Sequence, residues 1–211
     1  MAHRDRQSEN FTVILFAKTP GTSVKTRIAA TEGEGGAKQI YGELLREMVQ
    51  VLSPVQYHVA YTGEENGGSL RTLFNDAASF FPQVQGDLGR RMREACTRFA
   101  QAGYTHFCII GSDCPSLSTE DIQQTSDSLA KGYDVVLGPA EDGGYYLAGV
   151  NAKGISIFDA TKWSCNDLFE ETLGIARQHE LRVKLLPAKN DIDTMEDYRR
   201  WRDGVISSKI Q

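Results

Sequence analysis

The sequence predicts an α/β fold, in which one domain forms a three-layer α/β/α sandwich around a mainly parallel sheet. Short apolar runs rich in β-branched residues alternate with segments of helical period over the whole length. The runs at 11–17 and 134–138 are apolar on both faces, which is typical of strands that helices cover on both sides. We find no linker and no internal repeat, so we expect a flexible N-terminus over residues 1–10 and a single domain over residues 11–211.

Composition and charge exclude several classes of protein. The 23 Lys and Arg residues against 28 Asp and Glu residues leave a net charge of −5, which argues against a general nucleic-acid binder. The four cysteines form no C-x-x-C pair, so we expect no zinc site. Residues 1–10 lack an apolar signal core, and no apolar run approaches the length of a membrane span. We therefore expect a cytoplasmic protein with reduced thiols and no membrane span.

The first half of the chain contains three predicted strands. The strand at 11–17 precedes a loop at 18–27, and an acidic, glycine-rich turn at 32–36 separates that loop from an amphipathic helix at 37–52. The remaining elements of this half are a strand at 55–61, a short helix at 69–75 and a strand at 79–84. Because Pro82 has no N–H to donate, this third strand should be short or lie at a sheet edge.

The second half repeats the alternation. The segment at 85–92 opens a helix, and a buried strand at 104–111 follows it. Capping boxes at Ser118/Asp121 and Thr194/Asp197 begin two further helices. Between these two helices we expect strands at 134–138, near 147 and at 181–186, with a helix after residue 166.

Asp113 is the carboxylate around which we interpret the chain. It follows the buried strand that stops at Gly111, and Pro115 prevents that strand from continuing. Open α/β sheets bind ligands at the carboxyl ends of their strands, and Mg²⁺ commonly takes one or two protein carboxylates while it carries phosphates. Asp113 is thus a candidate metal ligand. The alternative is that it only caps the next turn.

The loop at 18–27 has the composition of a phosphate cradle. It combines Pro-Gly punctuation, small hydroxyl residues and three cations directly after a strand, so backbone N–H groups and charged side chains could converge on one anion. Neither the Walker A spacing nor G-x-G-x-x-G is present. A solvated basic loop is the alternative.

Three further polar segments fall at strand ends. Gln85, Gly86 and Asp87 open a helix and could contact a ligand; the alternative for Asp87 is a role only as the N-cap of that helix. The segment at 139–146 holds two acids, two glycines and two tyrosines, and could equally form a plain turn. In the last segment, at 190–194, we expect only one of Asp191 and Asp193 to face a site, unless both are helix-start acids.

These segments together resemble a known family. The motifs KTPG, VKTR, QGDLGRRM, GSDCP, GPAEDGGYYLAG, WS and DIDTMEDY are similar to those of a bacterial family of glycosyltransferase-A-type (GT-A) proteins, within the nucleotide-diphospho-sugar transferase superfamily. Phospholactate and molybdopterin guanylyltransferases are more distant relatives. The resemblance runs from about residue 11 to residue 200 and departs at Pro115, where a second Asp would complete D-x-D.

The resemblance implies an enzyme with a divalent metal, Mg²⁺ or Mn²⁺, and a nucleotide or nucleotide-sugar site at the carboxyl edge of the sheet. It implies that Asp113 and Asp193 bind the metal, with Lys25 and Arg27 stabilising charge. In a glycosyl transfer with inversion, Asp142 or Glu141 could act as the catalytic base that deprotonates the acceptor. The implied nucleotide-binding residues are Lys18, Pro20, Gly21, Lys25, Arg27, Gln85, Gly86 and Asp87. The implied acceptor-binding residues are Gly143, Gly144, Tyr145, Trp163 and Ser164.

Three functional hypotheses follow. The first is glycosyl transfer from a nucleoside-diphosphate sugar to a small-molecule acceptor. The second is nucleotidyl transfer with release of pyrophosphate, which the missing G-x-G-type loop disfavours. The third, a non-catalytic nucleotide-binding or partner protein, is permitted by Pro115 in place of the second Asp. The sequence leaves the donor base, the sugar, the acceptor and the oligomeric state open.

Overall fold

A seven-stranded sheet forms the middle layer of the computed structural model, which describes residues 10–160 and 167–204. The strands are β1 (Phe11–Lys18), β2 (Tyr57–Thr62), β3 (Ser79–Pro82), β4 (His106–Ile110), β5 (Val135–Pro139), β6 (Tyr145–Asn151) and β7 (Val183–Leu185). Their order is β3-β2-β1-β4-β6-β5-β7. Only β6 runs antiparallel to its neighbours, so the predicted mainly parallel sheet is confirmed.

Six α-helices in the described ranges connect and cover the strands. They are α1 (Thr26–Leu52), α2 (Leu70–Leu73), α3 (Leu88–Gln101), α4 (Thr119–Ala130), α5 (Leu168–Gln178) and α6 (Met195–Arg202). Ser118 and Thr194 form the predicted capping boxes at the starts of α4 and α6. Within residues 10–160 and 167–204, no helix is both long and apolar enough to cross a membrane.

The side chains of β1 show how the three layers arise. Val13 and Leu15 pack with α1, α2 and α4 in one apolar core, whereas Ile14 packs with α3 and α5 in another. Both faces of this central strand are therefore buried, as its continuous apolar run requires. The three-layer α/β/α prediction is confirmed.

The prediction of a turn over residues 32–36 is wrong, because only one residue in this stretch is non-helical. The helix α1 already begins at Thr26, and only Gly33 interrupts it, with φ 73° and ψ 168°. Glycine has no Cβ and adopts this backbone conformation without steric cost, so the helix breaks there and resumes.

The strand order places a crevice above β1. Chain connections leave β1 toward β2 on one side, and β4 pairs with β1 on the other. The carboxyl ends of β1, β2 and β4 thus meet at a topological switch point, the position where open α/β sheets bind ligands.

Candidate active site

A cleft of about 660 Å³ opens at this carboxyl edge. Its volume falls within the range of small-molecule sites, roughly 300–1,000 Å³. The cleft brings together residues at or just after the carboxyl ends of five strands, β1 to β5. The segment before α6 adds further residues. The polar and charged residues that line it are Lys18, Ser23, Lys25, Thr26, Arg27, Tyr41, Thr62, Gln83, Arg91, Ser112, Asp113, Asp142, Tyr145, Asp191 and Asp193.

Two carboxylates contact one ammonium group in this cleft. Lys25 Nζ lies 3.0 Å from Asp113 Oδ2 and 3.4 Å from Asp193 Oδ1. Asp113 comes from the end of β4, and Asp193 directly precedes α6. The backbone N–H of Ile192 donates to the Asp113 carbonyl over 2.9 Å, which holds the two segments side by side. Asp113 and Asp193 therefore share one cationic partner.

Both late acids line the cleft, so the expectation that only one would face it is wrong. In an extended segment residues i and i+2 lie on the same side. Accordingly Ile192 points into the core, fully buried against α1, while Asp191 and Asp193 both face the cleft. Sequence reasoning therefore missed Asp191, although its spacing from Asp193 was a sufficient signal.

The Asp191 carboxyl has an unusual environment. Burial raises its pKa to about 7, and the charges of Asp113 and Asp142 act in the same direction, while Lys25 opposes them. Its Oδ1 is buried and has no hydrogen-bond partner among the described residues. A buried acceptor without a partner is costly, so this oxygen is poised to gain a donor or a cation.

The raised pKa predicts how stability depends on pH. The folded state holds a proton on Asp191 between about pH 4 and pH 7 that the unfolded state releases, so the free energy of unfolding falls as pH rises through this range. Asp191→Asn should remove this dependence. Relative to the natural protein, the variant should therefore be more stable at pH 8 than at pH 5, by roughly 2–3 kcal/mol. Urea denaturation at both pH values measures it.

An exposed acid provides the control. Asp203 is exposed at the end of α6. Asp203→Asn removes one negative charge from the surface and should leave the slope of the free energy of unfolding against pH unchanged. An unaltered slope in Asp191→Asn would show that another group titrates in this range.

A hydroxyl network that the sequence did not reveal holds Asp113. Tyr41 Oη accepts from the Lys18 N–H over 2.9 Å, donates to the Lys18 carbonyl over 3.0 Å, and lies 3.2 Å from Ser112 Oγ. Ser112 Oγ donates to Asp113 Oδ1 over 3.3 Å. Burial, followed by the charge of Asp113, raises the Tyr41 pKa, so its hydroxyl stays protonated. The network links the ends of β1 and β4 through α1.

The N-terminus of α1 supplies the groups of the predicted phosphate cradle. Residues 23–27 line the cleft, and no side chain caps the helix. An open helix N-terminus presents backbone N–H groups and a partial positive charge to an anion. Pro20 and Gly21 do not line the cleft; a Cβ at Gly21 would lie 1.4 Å from Glu64 Oε1, so this glycine allows the loop to pack against the segment after β2.

The residues that line the cleft before and within α3 are not the ones predicted to contact the nucleotide, but lie a few positions away in the chain. Gln85, Gly86 and Asp87 are exposed and do not line the cleft. Asp87 instead caps α3 by accepting from the Arg90 N–H over 2.8 Å, as the alternative interpretation held. Gln83, Leu88 and Arg91 line the cleft in their place, and an adjoining cavity of about 150 Å³ shares Gln83 and Arg91 with it.

Some of the residues predicted to bind the acceptor line the cleft. Asp142, Gly144 and Tyr145 line the cleft, while Gly143 forms the turn with φ 88° and is not part of the lining. Asp142 Oδ1 accepts from the Gly144 N–H over 3.0 Å, which orients this carboxylate. Trp163 and Ser164 lie outside the described residues.

The residues fit a divalent cation held jointly by protein and substrate. Asp113 and Asp193 converge on one cationic group, which shows that their oxygens can share a cation. Over the described ranges, no three His, Cys, Asp or Glu side chains are arranged to hold a metal ion by themselves. Two carboxylates plus substrate phosphates is the usual arrangement for Mg²⁺.

Comparison with known proteins supports the fold and the family. Residues 45–165 match the model of a family described as an uncharacterized protein conserved in bacteria, DUF2064. The solved structure of a proposed nucleotide-diphospho-sugar transferase from Desulfovibrio desulfuricans G20 has a TM-score of 0.85 at 30% identity, over 94% of this chain and 89% of that one. A comparison with curated proteins found no match.

Two more distant structures share the fold alone. A cytidylyltransferase from Leptospira borgpetersenii has a TM-score of 0.58 at 15% identity, over 96% of this chain and 88% of that one. A molybdopterin-guanine dinucleotide biosynthesis protein A from Archaeoglobus fulgidus has a TM-score of 0.55 at 13% identity, over 90% and 97%. The predicted nucleotide-diphospho-sugar transferase type of fold is thereby confirmed.

Proposed function

Since this chain belongs to the DUF2064 family, we propose that it is a metal-dependent transferase that acts on a nucleotide-activated donor. The proposed reaction is glycosyl transfer from a nucleoside-diphosphate sugar to a small-molecule acceptor. One observation carries the proposal: the uncapped N-terminus of α1 and the carboxylate pair of Asp113 and Asp193 open into the same cleft, at the switch point of the sheet.

The anion end of the donor would lie against α1. Its first backbone N–H groups, together with Lys25 and Arg27, oppose the charge of a diphosphate. Arg27 is free to turn toward the phosphates of a donor, because its side chain is 72% exposed and its Nη1 lies 3.4 Å from Asp193 Oδ2. A bound divalent metal, held by Asp113 and Asp193, would neutralise charge on the leaving diphosphate.

The acceptor would enter beside the turn before β6. The Gly144 N–H fixes one oxygen of the Asp142 carboxylate, and the Asp142 charge contributes to the raised pKa of Asp191, so these two acids interact. In this position Asp142 can accept a proton from an acceptor hydroxyl as it attacks the sugar carbon. Tyr145, at the first position of β6, lies beside it in the lining.

A diphosphate donor suits the charge of the cleft better than a triphosphate. The lining cations are Lys18, Lys25, Arg27 and Arg91, and two of them, Lys25 and Arg27, are also paired with carboxylates. A diphosphate leaves less negative charge for these cations to balance than a triphosphate does. Nucleotidyl transfer is therefore the second candidate, and its product distinguishes it.

A ligand screen tests the proposal directly. Thermal unfolding is measured with nucleotides and nucleotide sugars, each with and without Mn²⁺ or Mg²⁺. A ligand at about 100 times its dissociation constant stabilises a protein by roughly 2.7 kcal/mol, which gives a clear shift of Tm. A metal-dependent shift with one nucleoside diphosphate sugar is expected. Pyrophosphate release with a triphosphate would favour nucleotidyl transfer, and no shift with any nucleotide would refute both.

Two adjacent arginines on α3 test where the nucleotide lies. Arg91 lines the cleft, whereas Arg90 is exposed and outside it. A charge-assisted hydrogen bond contributes about 1.5–3 kcal/mol, so Arg91→Ala should weaken nucleotide binding about tenfold or more. Arg90→Ala removes the same charge one residue away and should leave the Kd, measured by calorimetry, within about twofold. Equal effects of the two changes would place the nucleotide elsewhere.

A further inference from the structure

The ammonium group of Lys25 occupies the space between two carboxylates of the cleft. Its Nζ is 3.0 Å from Asp113 Oδ2 and 3.4 Å from Asp193 Oδ1, between the two carboxylates proposed as metal ligands. The Lys25 side chain is only 5% exposed, whereas the carboxylates are 41% and 39% exposed. The lysine therefore fills the inner side of the carboxylate pair and leaves the outer side open to the cleft.

The backbone at Lys25 is held in an unfavourable conformation to place this group. Its φ of 49° and ψ of 54° are left-handed, which side chains with a Cβ rarely adopt. Such a conformation persists only where surrounding contacts maintain it. The two ion pairs are contacts of this kind.

A metal ion placed between the two carboxylates would compete with this ammonium. Lys25 already takes Asp113 Oδ2 and Asp193 Oδ1, and a divalent ion on the neighbouring oxygens would repel the ammonium strongly. A metal that uses these oxygens must therefore displace Lys25. Among the described residues no three His, Cys, Asp or Glu side chains are arranged to hold a metal ion elsewhere.

We infer that Lys25 is a resident counter-ion of the carboxylate pair, which a metal displaces only when nucleotide phosphates are present to receive the ammonium. This inference rests on the proposed function. The phosphates supply the metal ligands that the protein lacks, and they give Lys25 a new anionic partner at the N-terminus of α1. Asp191, whose Oδ1 has no hydrogen-bond partner among the described residues, gains a divalent charge beside it.

Metal and nucleotide binding are then coupled. The metal displaces the Lys25 ammonium, and the nucleotide phosphates receive it. Each ligand therefore raises the affinity of the protein for the other, and by the same factor. The free protein should bind metal weakly, and it should bind metal tightly only in the presence of nucleotide. Removing the ammonium should uncouple the two events.

The test is Mn²⁺ binding to the full chain without nucleotide, measured by electron paramagnetic resonance. Lys25→Met removes the ammonium, and Lys25→Gly removes it while relieving the left-handed backbone, so at least one variant should fold normally. Both should bind Mn²⁺ at least tenfold more tightly than the natural protein. Arg27→Met is the matched control: it also removes one cation beside Asp193, but an exposed one, and should change the affinity less than threefold.

Unchanged or weaker Mn²⁺ binding in folded Lys25 variants would overturn the inference, as would an equal gain in Arg27→Met. These outcomes are separable from failure of the proposed function. If no nucleotide binds to any variant, the proposed function fails, but the metal measurement still decides whether Lys25 competes with the cation. If nucleotide binds and the Mn²⁺ affinity of the Lys25 variants does not rise, only the inference fails.

Discussion

Asp113→Asn should abolish metal-dependent nucleotide binding and lower turnover by at least about a hundredfold. Asp113 lies at the end of β4 and contributes the carboxylate nearest to the cation position, 3.0 Å from Lys25 Nζ. An amide keeps the shape of the side chain but supplies no negative charge to balance a divalent ion. The Mn²⁺-dependent part of the Tm shift with nucleotide measures the loss.

A surface carboxylate is the control for Asp113. Asp127→Asn, on α4, removes one charge and keeps an oxygen that accepts from the Gln123 amide, so it should bind nucleotide and metal like the natural protein. The Tyr41–Ser112 network remains in Asp113→Asn, so the loop after β4 should keep its position. If Asp113→Asn retained a full Mn²⁺-dependent shift, the metal-binding role of this residue would be wrong.

Lys189→Met should destabilise the protein by about 3 kcal/mol, since breaking a buried ion pair from one side costs roughly 3–5 kcal/mol. Lys189 Nζ pairs with Asp121 and donates to the Ser116 carbonyl over 2.7 Å, and the two paired side chains are 17% and 7% exposed. Without the ammonium, the Asp121 side chain stays buried and has lost its cationic partner. The Ser118 N–H and hydroxyl still donate to it, which places the loss at the lower end of the range.

Lys184→Met is the matched control because Lys184 is exposed on β7 and has the same side chain. It should change the free energy of unfolding, measured with urea, by less than about 0.5 kcal/mol. A loss below about 1 kcal/mol in Lys189→Met would mean that the ion pair contributes little to stability. Lys189 is bridged to Ala140 and directly precedes the segment of Asp191 and Asp193, so its loss should also weaken metal binding.

The fold could be predicted from sequence because its signals are local. Apolar runs at 11–17, 104–111 and 134–138 correspond to β1, β4 and β5, each within a few residues. Parallel strands joined by helices place all their carboxyl ends on one edge, so the location of the cleft followed as well. Asp113, Asp142, Asp193, Lys25 and Arg27 were predicted as site residues and do line one cleft.

The exact contacts in the nucleotide segment could not be predicted. Sequence reasoning chose Gln85, Gly86 and Asp87, because glycines at a helix start allow close approach of a ligand. In the structure the rotation of α3 turns Leu88 and Arg91 to the cleft and leaves Asp87 as a cap. The direction of a helix face near its first turn depends on how the helix packs, which adjacent residues do not determine.

The sequence by itself determined the α/β class, the mainly parallel sheet, and the set of polar strand ends that form the cleft. Only the tertiary structure decided which charges meet. Lys25 and Asp193 are 168 residues apart in the chain, and Lys189 and Asp121 are 68 apart, yet both pairs are in contact. Local patterns reflect backbone preference and burial, which act between near neighbours. Ion pairing and desolvation depend on distances through space. The ion pairs of Lys25 and the burial of the Asp191 carboxyl therefore arise only when the chain is folded.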